Sequence, residues 1–211
     1  MINRTQSHLF WGTNAPLSTL ICAGLMIMAT SRLAFALIVG GALIWTYGLT
    51  VLILGFAKPI LPQKGREIIW VFLSSFLGSL YLLLIYFVSP FLAMETTFLI
   101  LLAPLSCIGS GVCSRLEGSD PNDFILKVLL EALVLAGILI ALALIREPLG
   151  FGSFSLPGGP QGIVTLVSFG SSLYFPVQII AGSSGGLLIL GYGLTLFRRF
   201  RNRYTSAGEE Q

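Results

Sequence analysis

Residues 33–57 read LAFALIVGGALIWTYGLTVLILGFA and contain no charged side chain. A helix needs roughly 20 such residues to cross the bilayer hydrocarbon, which is about 30 Å thick. Similar runs recur along the 211 residues, of which 55% are hydrophobic and 10% are charged. The predicted membrane passages lie at about 13–30, 33–57, 67–90, 93–114, 124–145 and 173–198. The sequence therefore predicts an integral membrane protein with about six transmembrane helices.

The length of these apolar runs predicts an all-α fold. Every backbone N–H and C=O group inside a bilayer must be satisfied within the protein, so only helices and closed barrels span it. The runs lack the short alternating pattern of a lipid-facing barrel strand, and we expect no strand. We treat residues 1–211 as a single transmembrane domain.

The twelve Lys and Arg residues predict the orientation of the bundle. If the arginine-rich stretch 198–203 is cytoplasmic, six passages place the N-terminus on the same side. The basic residues at 58–66 and 115–127 then also lie inside, and only Arg32 and Arg146 lie outside, as the positive-inside rule requires. Both termini, including the polar tail 199–211, are predicted to be cytoplasmic. The net charge of +3 indicates topology and contact with anionic lipid, with no nucleic-acid partner.

The six passages divide into two sets of three, at about 1–92 and 93–211. PLSTLICAGLMIMATSRL from Pro16 is echoed by PLSCIGSGVCSRL from Pro104. Three passages separate the two stretches, so the repeats would have opposite orientation. Interrupted helices at matching positions mark a binding site at the membrane midplane in such proteins. We therefore expect a site between broken first and fourth helices, unless the echo of these short motifs is a coincidence.

Seven short motifs follow one another along nearly the whole chain. They are FWGTN at 10–14, ATS at 29–31, LPQKGR at 61–66, APLS at 103–106, SRLE at 114–117, IREPLGFGSF at 145–154 and GGLLILGYGL at 185–194. With these motifs the chain resembles the membrane subunits of the Rnf complex and of the sodium-translocating NADH:quinone oxidoreductase. It is most similar to the E-type members of that family.

The resemblance implies a non-catalytic subunit of an ion-translocating ferredoxin:NAD-type oxidoreductase in a bacterial inner membrane. Such a subunit pairs with a homologous A-type subunit and joins other Rnf-type subunits. In the family, each member of the pair gives one cysteine from each broken helix to a shared 2Fe-2S cluster, for which four thiolates are the usual ligands. Electrons cross the membrane through this cluster, and their flow is coupled to cation movement.

The cysteines do not occupy the positions that the resemblance implies. Counted without gaps from the motifs, the two cysteine positions of the family fall on Gly24 and Ser110. Cys22 lies two residues before the first position, and Cys107 and Cys113 lie three residues either side of the second.

Three interpretations remain open. A shifted broken helix would let Cys22 and Cys107 bind the cluster, with Cys113 as the reserve ligand. The cluster could instead be absent and the subunit serve a structural or ion-path role, or the ungapped alignment could be wrong. A buried thiol also often only packs.

Two charges in the fifth predicted helix are further candidates. Glu131 lies about two turns into the helix, where a carboxylate is usually paired or functional. Lys127 precedes it by one turn, so an ion pair and an ion-path role both remain open. Arg146 and Glu147 are expected to fix the outer end of this helix against the next loop or a partner.

No catalytic residues are predicted, because His8 is the only histidine and no Ser/His/Asp set can be built. The rival function is a cluster-free structural subunit or a small-solute transporter.

Overall fold

The computed structural model describes residues 24, 26–57, 66–110, 121–168, 178–193 and 195. Within these ranges the protein is mostly helical. A short 3-10 helix, Ile27–Ser31, precedes the long helices. The remaining elements are α1 (Leu33–Ala57), α2 (Arg66–Val88), α3 (Pro90–Gly109), α4 (Pro121–Phe151), β1 (Ser153–Pro157), a 3-10 turn (Gly159–Gln161), β2 (Ile163–Ser168), α5 (Gln178–Ala181) and α6 (183–193).

Four of the described helices are long and apolar enough to cross a membrane. These stretches are Leu33–Ala57, Ile68–Val88, Pro90–Gly109 and Ile125–Phe151. They confirm a helical membrane protein and coincide with the second to fifth predicted passages. The first passage, at 13–30, lies largely outside the described residues. Of the sixth, at 173–198, residues 178–193 and 195 are described. They form α5 and α6 with a bend at Gly182 between them, and neither is among the four helices long enough to span a membrane. The count of six and the inverted repeat therefore stay predictions.

α1 is the central helix of the bundle and packs against α2, α3 and α4. Its most apolar window is 56% buried, compared with 22% for that of α2. A helix that is hydrophobic all round is expected to be enclosed by other helices. The charge-free sequence of α1 thus matches its position.

Glycines on α1 determine how closely α4 approaches. A Cβ atom at Gly40 would lie 3.4 Å from the Cβ of Ala136, and one at Gly55 would lie 3.5 Å from Cδ1 of Ile125. The residue numbers run in opposite directions along the two helices, so α1 and α4 are antiparallel. Small residues at such contacts let helix backbones pack closely inside a membrane, where burial from water supplies no driving force.

A second close contact joins α2 to α3. Pro104 lies inside α3, and a Cβ atom at Gly78 of α2 would lie only 2.5 Å from its Cγ. One turn further along α2, the Tyr81 hydroxyl donates to the Ile38 carbonyl of α1 over 3.0 Å. α2 is thereby held between α1 and α3. α3 runs unbroken from Pro90 to Gly109, so no interruption of the predicted fourth passage falls within that range.

The expectation that the chain forms no strand is wrong for the connection that follows α4. β1 and β2 pair antiparallel, with an irregularity between Phe154 and Ser155. Gly159 and Gly162 in the turn have φ of +64° and +80°, which favour glycine. Pairing satisfies backbone groups that this proline- and glycine-rich stretch cannot satisfy as a helix. The turn packs on the start of α3, since a Cβ at Gly162 would meet the ring of Phe91 at 2.8 Å.

We predict that Gly78→Ala destabilises the bundle, whereas Gly137→Ala does not. The added methyl at residue 78 would collide with the ring of Pro104, and overpacking of this kind costs about 1–3 kcal/mol. Gly137 has nothing within 4 Å of its Cβ position, and alanine is the better helix former. Thermal unfolding of both variants in the same detergent measures the difference. Equal midpoints for the two variants would contradict the α2–α3 contact.

Candidate functional site

Cys107 lies close to the middle of the bundle. The neighbouring Ser106 shares a hydrogen bond of 3.2 Å with the hydroxyl of Tyr47. At 1.5 Å per residue, Tyr47 lies about 21 Å from the Leu33 end of α1 and about 15 Å from its Ala57 end. Cys107 therefore lies near the middle of the length of α1, and its side chain is wholly buried.

α3 ends before its neighbours do. Beyond Ser106 it continues for only about 5 Å to Gly109, while α1 continues for about 15 Å beyond Tyr47. From the Gly78–Pro104 contact, α2 extends toward Arg66 about 10 Å further than α3 extends toward Gly109. The helix that carries Cys107 thus ends inside the depth of the bundle. Helix ends at this depth are tolerated only where protein or a cavity surrounds them.

The last turn of α3 is closed by its own polar side chains. The Ser110 hydroxyl donates to the Cys107 carbonyl over 2.8 Å, and the Ser110 amide donates to the Ser106 carbonyl over 3.0 Å. Ser110 is itself buried. These bonds hold the thiol-bearing turn in one conformation and satisfy carbonyl groups that a helix end leaves free.

Of the predicted cluster ligands, only Cys107 lies within the described residues. Cys22 and Cys113 lie outside the described residues, as does the chain just before Gly24 and just after Ser110. Gly24, the first family position, has no atom within 4 Å of where its Cβ would be. In the described part of the chain, no three His, Cys, Asp or Glu side chains are grouped so that they could hold a metal ion. The cluster therefore stays a prediction.

Arg146 is the centre of a second buried cluster, located at the Leu33 end of the bundle. Its guanidinium donates to the carbonyl oxygen of Ile27 over 2.8 Å, to that of Ile180 over 3.1 Å and to that of Gly182 over 2.8 Å. It also donates to the Thr30 hydroxyl, which in turn donates to the Ile27 carbonyl. Arg146 is fully buried.

These contacts join two interrupted stretches of chain. The 3-10 helix at 27–31 ends at Arg32, whose backbone is extended, and α5 ends at Ala181, where a bend separates it from α6. Carbonyl groups at such ends lack helical partners, and a buried one without a hydrogen bond is costly. One guanidinium, with five N–H donors in a fixed plane, supplies several of them at once.

Glu147 fixes the start of α1. Its carboxylate oxygen accepts from the Leu33 amide over 2.7 Å, which provides one of the partners that the first turn of a helix requires. A carboxylate there is also favoured by the helix dipole. Next to it, Arg32 lies 5.3 Å from the ring centre of Phe151. The expectation that Arg146 and Glu147 fix the end of their helix agrees with these bonds, but their partners are residues 27–33 and 180–182, not the loop that follows.

The sequence did not predict that Arg146 is buried and donates hydrogen bonds to two separate stretches of chain. The positive-inside rule placed Arg146 on the outer side of the membrane, because it lies close to the end of an apolar run. The available signal was the sequence IREPLG itself, in which an arginine and a glutamate remain inside a helix that continues to Phe151. A buried guanidinium at that position requires several acceptors, and interrupted segments supply them.

Glu131 and Lys127 differ in their surroundings. Glu131 is 9% exposed, about 15 Å along α4 from Pro121. Lys127 is exposed. The ion pair between them and the ion-path role both stay predictions.

No protein-family model matches the chain, and none of the curated proteins matches it. The described geometry is therefore the basis for any functional argument beyond the resemblance.

We predict that Arg146→Met lowers the free energy of unfolding by about 3 kcal/mol. The acceptors that would lose their donor together are the buried ones on Ile27 and Thr30 and the partly buried ones on Ile180 and Gly182. Arg32→Met serves as the matched control. It removes an arginine at the same end of the bundle whose side-chain contact among the described residues is the ring of Phe151, a contact that contributes about 0.5–1 kcal/mol. Unfolding in mixed micelles measures both variants. If Arg146→Met were as stable as Arg32→Met, the cluster would not hold the two segments together.

Proposed function

We propose that this chain is a membrane subunit of an Rnf-type ion-translocating electron-transport complex. It would pass electrons across the membrane through a 2Fe-2S cluster that it shares with a homologous A-type subunit. The chain would not be catalytic alone, and its location would be a bacterial inner membrane with both termini in the cytoplasm. The observation that carries the proposal is the position of Cys107, a fully buried thiol near mid-depth on a helix that ends inside the bundle.

That position supports an electron carrier for a physical reason. A cofactor that passes electrons across about 30 Å of hydrocarbon is most useful near the middle. The donor type also fits, since thiolates are the usual ligands of iron–sulfur clusters. A shared cluster requires two ligands from this chain, and Cys107 would be one of them. Cys22 is proposed as the second and Cys113 as the reserve.

A second line of support comes from the motifs of the resemblance. Thr30 belongs to ATS, Arg146 and Glu147 belong to IREPLGFGSF, and Gly186 belongs to GGLLILGYGL. In the structure Thr30 accepts from Arg146, and a Cβ at Gly186 would lie 2.7 Å from the Arg146 guanidinium. Three motifs that are far apart in the sequence thus meet at one cluster. Motifs matched by chance would have no reason to converge.

The residues of this chain would act by positioning. Tyr47 and Ser106 hold the turn that carries Cys107 against α1, and Ser110 closes that turn. Arg146 would hold the interrupted stretch 27–31, which follows Cys22 in the chain. The cluster, when bound, would supply a carrier that accepts and donates one electron at a time. Glu131 is the proposed acidic group of a cation path, because it is a buried carboxylate within a membrane span.

We predict that the co-purified pair of membrane subunits contains about two irons and an equal amount of acid-labile sulfide, as a single 2Fe-2S cluster requires. Cys107→Ser and Cys22→Ser should each remove the iron and the electron paramagnetic resonance signal of the dithionite-reduced pair. Thr97→Ala is the matched control. It removes a hydroxyl on the same helix that donates to the Ala93 carbonyl, about 15 Å along α3 from Cys107, and should leave the iron in place.

Two results would overturn this proposal. A wild-type pair that is colourless and iron-free after preparation without oxygen would exclude the cluster and leave a structural or solute-transport role. Iron that is retained in both cysteine variants would exclude these thiols as ligands. Cys113→Ser, measured in the same series, tests the reserve ligand.

A further inference from the structure

Glu95 differs from the other glutamates in the described membrane spans. Glu131 and Glu147 are buried in the bundle, whereas Glu95 on α3 is exposed. Its neighbours on the same side of the helix are Phe91, Met94 and Phe98, which are 59%, 76% and 64% exposed. We call these four residues the Glu95 face. Acidic side chains within membrane spans normally face the protein interior or pair with another group.

The described side chains between the Glu95 carboxylate and the nearer end of α3 are apolar on this side of the helix. Glu95 lies about 7.5 Å along α3 from Pro90, and helical side chains point back toward the N-terminus. Phe91 lies one turn nearer that end on the same side. The β-hairpin turn packs on Phe91 at Gly162. The path from the carboxylate toward the membrane boundary therefore runs through apolar side chains.

We infer that the Glu95 face is a docking surface for a transmembrane helix of a partner subunit that carries Arg or Lys at the matching depth. The partner's cation would neutralise Glu95 in a low-dielectric setting, where a charge-assisted hydrogen bond is strong. Its apolar residues would cover the phenylalanine and methionine side chains around the glutamate. The inference depends on the proposed function only for the existence of a membrane partner.

A second copy of this chain is a poor fit to the same surface. Among the described residues at this end of the bundle, Arg146 is fully buried and hydrogen-bonded. Arg32 is half-buried and stacks on Phe151. Lys127 lies toward the opposite end, since α4 is antiparallel to α1. The described part of a parallel second copy would thus offer no exposed cation at the depth of Glu95.

The test uses the chain in its membrane complex. A photo-crosslinking amino acid replaces Met94, next to Glu95, and in a control sample replaces Leu83. Leu83 is 53% exposed on α2 and lies about 7.5 Å from the end of its helix at Val88, as Glu95 lies about 7.5 Å from the end of its own helix at Pro90. We expect the probe at Met94 to cross-link to a partner helix that has Arg or Lys within one turn of the cross-linked residue. The probe at Leu83 should give little of that product.

Charge reversal provides the second measurement. Glu95→Lys should reduce the partner recovered with the tagged chain at least tenfold, while Leu83→Lys, which introduces the same lysine side chain at an exposed position of α2, should leave recovery unchanged. If both lysine variants fail to fold, the cross-linking experiment on the otherwise unaltered chain still decides. A Met94 cross-link only to lipid, or only to a second copy of this chain, would overturn the inference. So would equal recovery with Glu95→Lys and the unaltered chain.

Iron content separates this inference from the proposed function. An iron-free pair that cross-links through Met94 would support the docking surface and overturn electron transfer. An iron-containing pair with no partner cross-link at Met94 would support electron transfer and overturn the docking surface.

Discussion

A helix that is interrupted inside a protein leaves carbonyl groups without helical partners, and this constraint governs the Leu33 end of the protein. Two stretches are interrupted there, at 27–32 and 180–182. The Arg146 guanidinium donates to carbonyl oxygens in both. Glu147, the next residue, accepts from the first amide of α1. Two adjacent residues of α4 therefore let neighbouring segments depart from regular helix without leaving buried polar groups unsatisfied.

In the rest of the bundle, close helix contacts are accompanied by single polar bonds between helices. Glycines on α1 leave room for α4, and the glycine at residue 78 of α2 leaves room for the ring of Pro104. The helix backbones therefore approach where a larger residue would separate them. This packing sets the depth of Ser106 and Cys107 relative to α1. A buried thiol on a helix that ends within the bundle is the arrangement on which the proposed electron path depends. The Arg146 cluster and the Cys107 thiol lie at different depths in the bundle. The cluster holds the interrupted stretches, and the thiol is the proposed ligand of the iron–sulfur cluster.

Apolar run length was sufficient to predict the four described spans, because a charge-free stretch such as 33–57 has few alternatives to a membrane helix. It could not predict the β-hairpin. There the signal was local, with Val164 and Val167 following a glycine-rich turn, and the membrane argument against strands outweighed it. Most acceptors in the Arg146 cluster were also beyond the sequence, since they are backbone carbonyls that carry no residue signature. Glu95 was overlooked because a single charge in an apolar run does not reveal which side of its helix it occupies.

The central claim is that one guanidinium holds both interrupted stretches together. Hydrogen–deuterium exchange of the protein in nanodiscs, compared between wild type and Arg146→Met, tests this most directly. The account predicts faster exchange in two separate regions of the variant, 26–33 and 180–186, with α2 unchanged. Local opening of both regions follows from the loss of their shared donor. Faster exchange confined to α4, or no change in either region, would contradict the account.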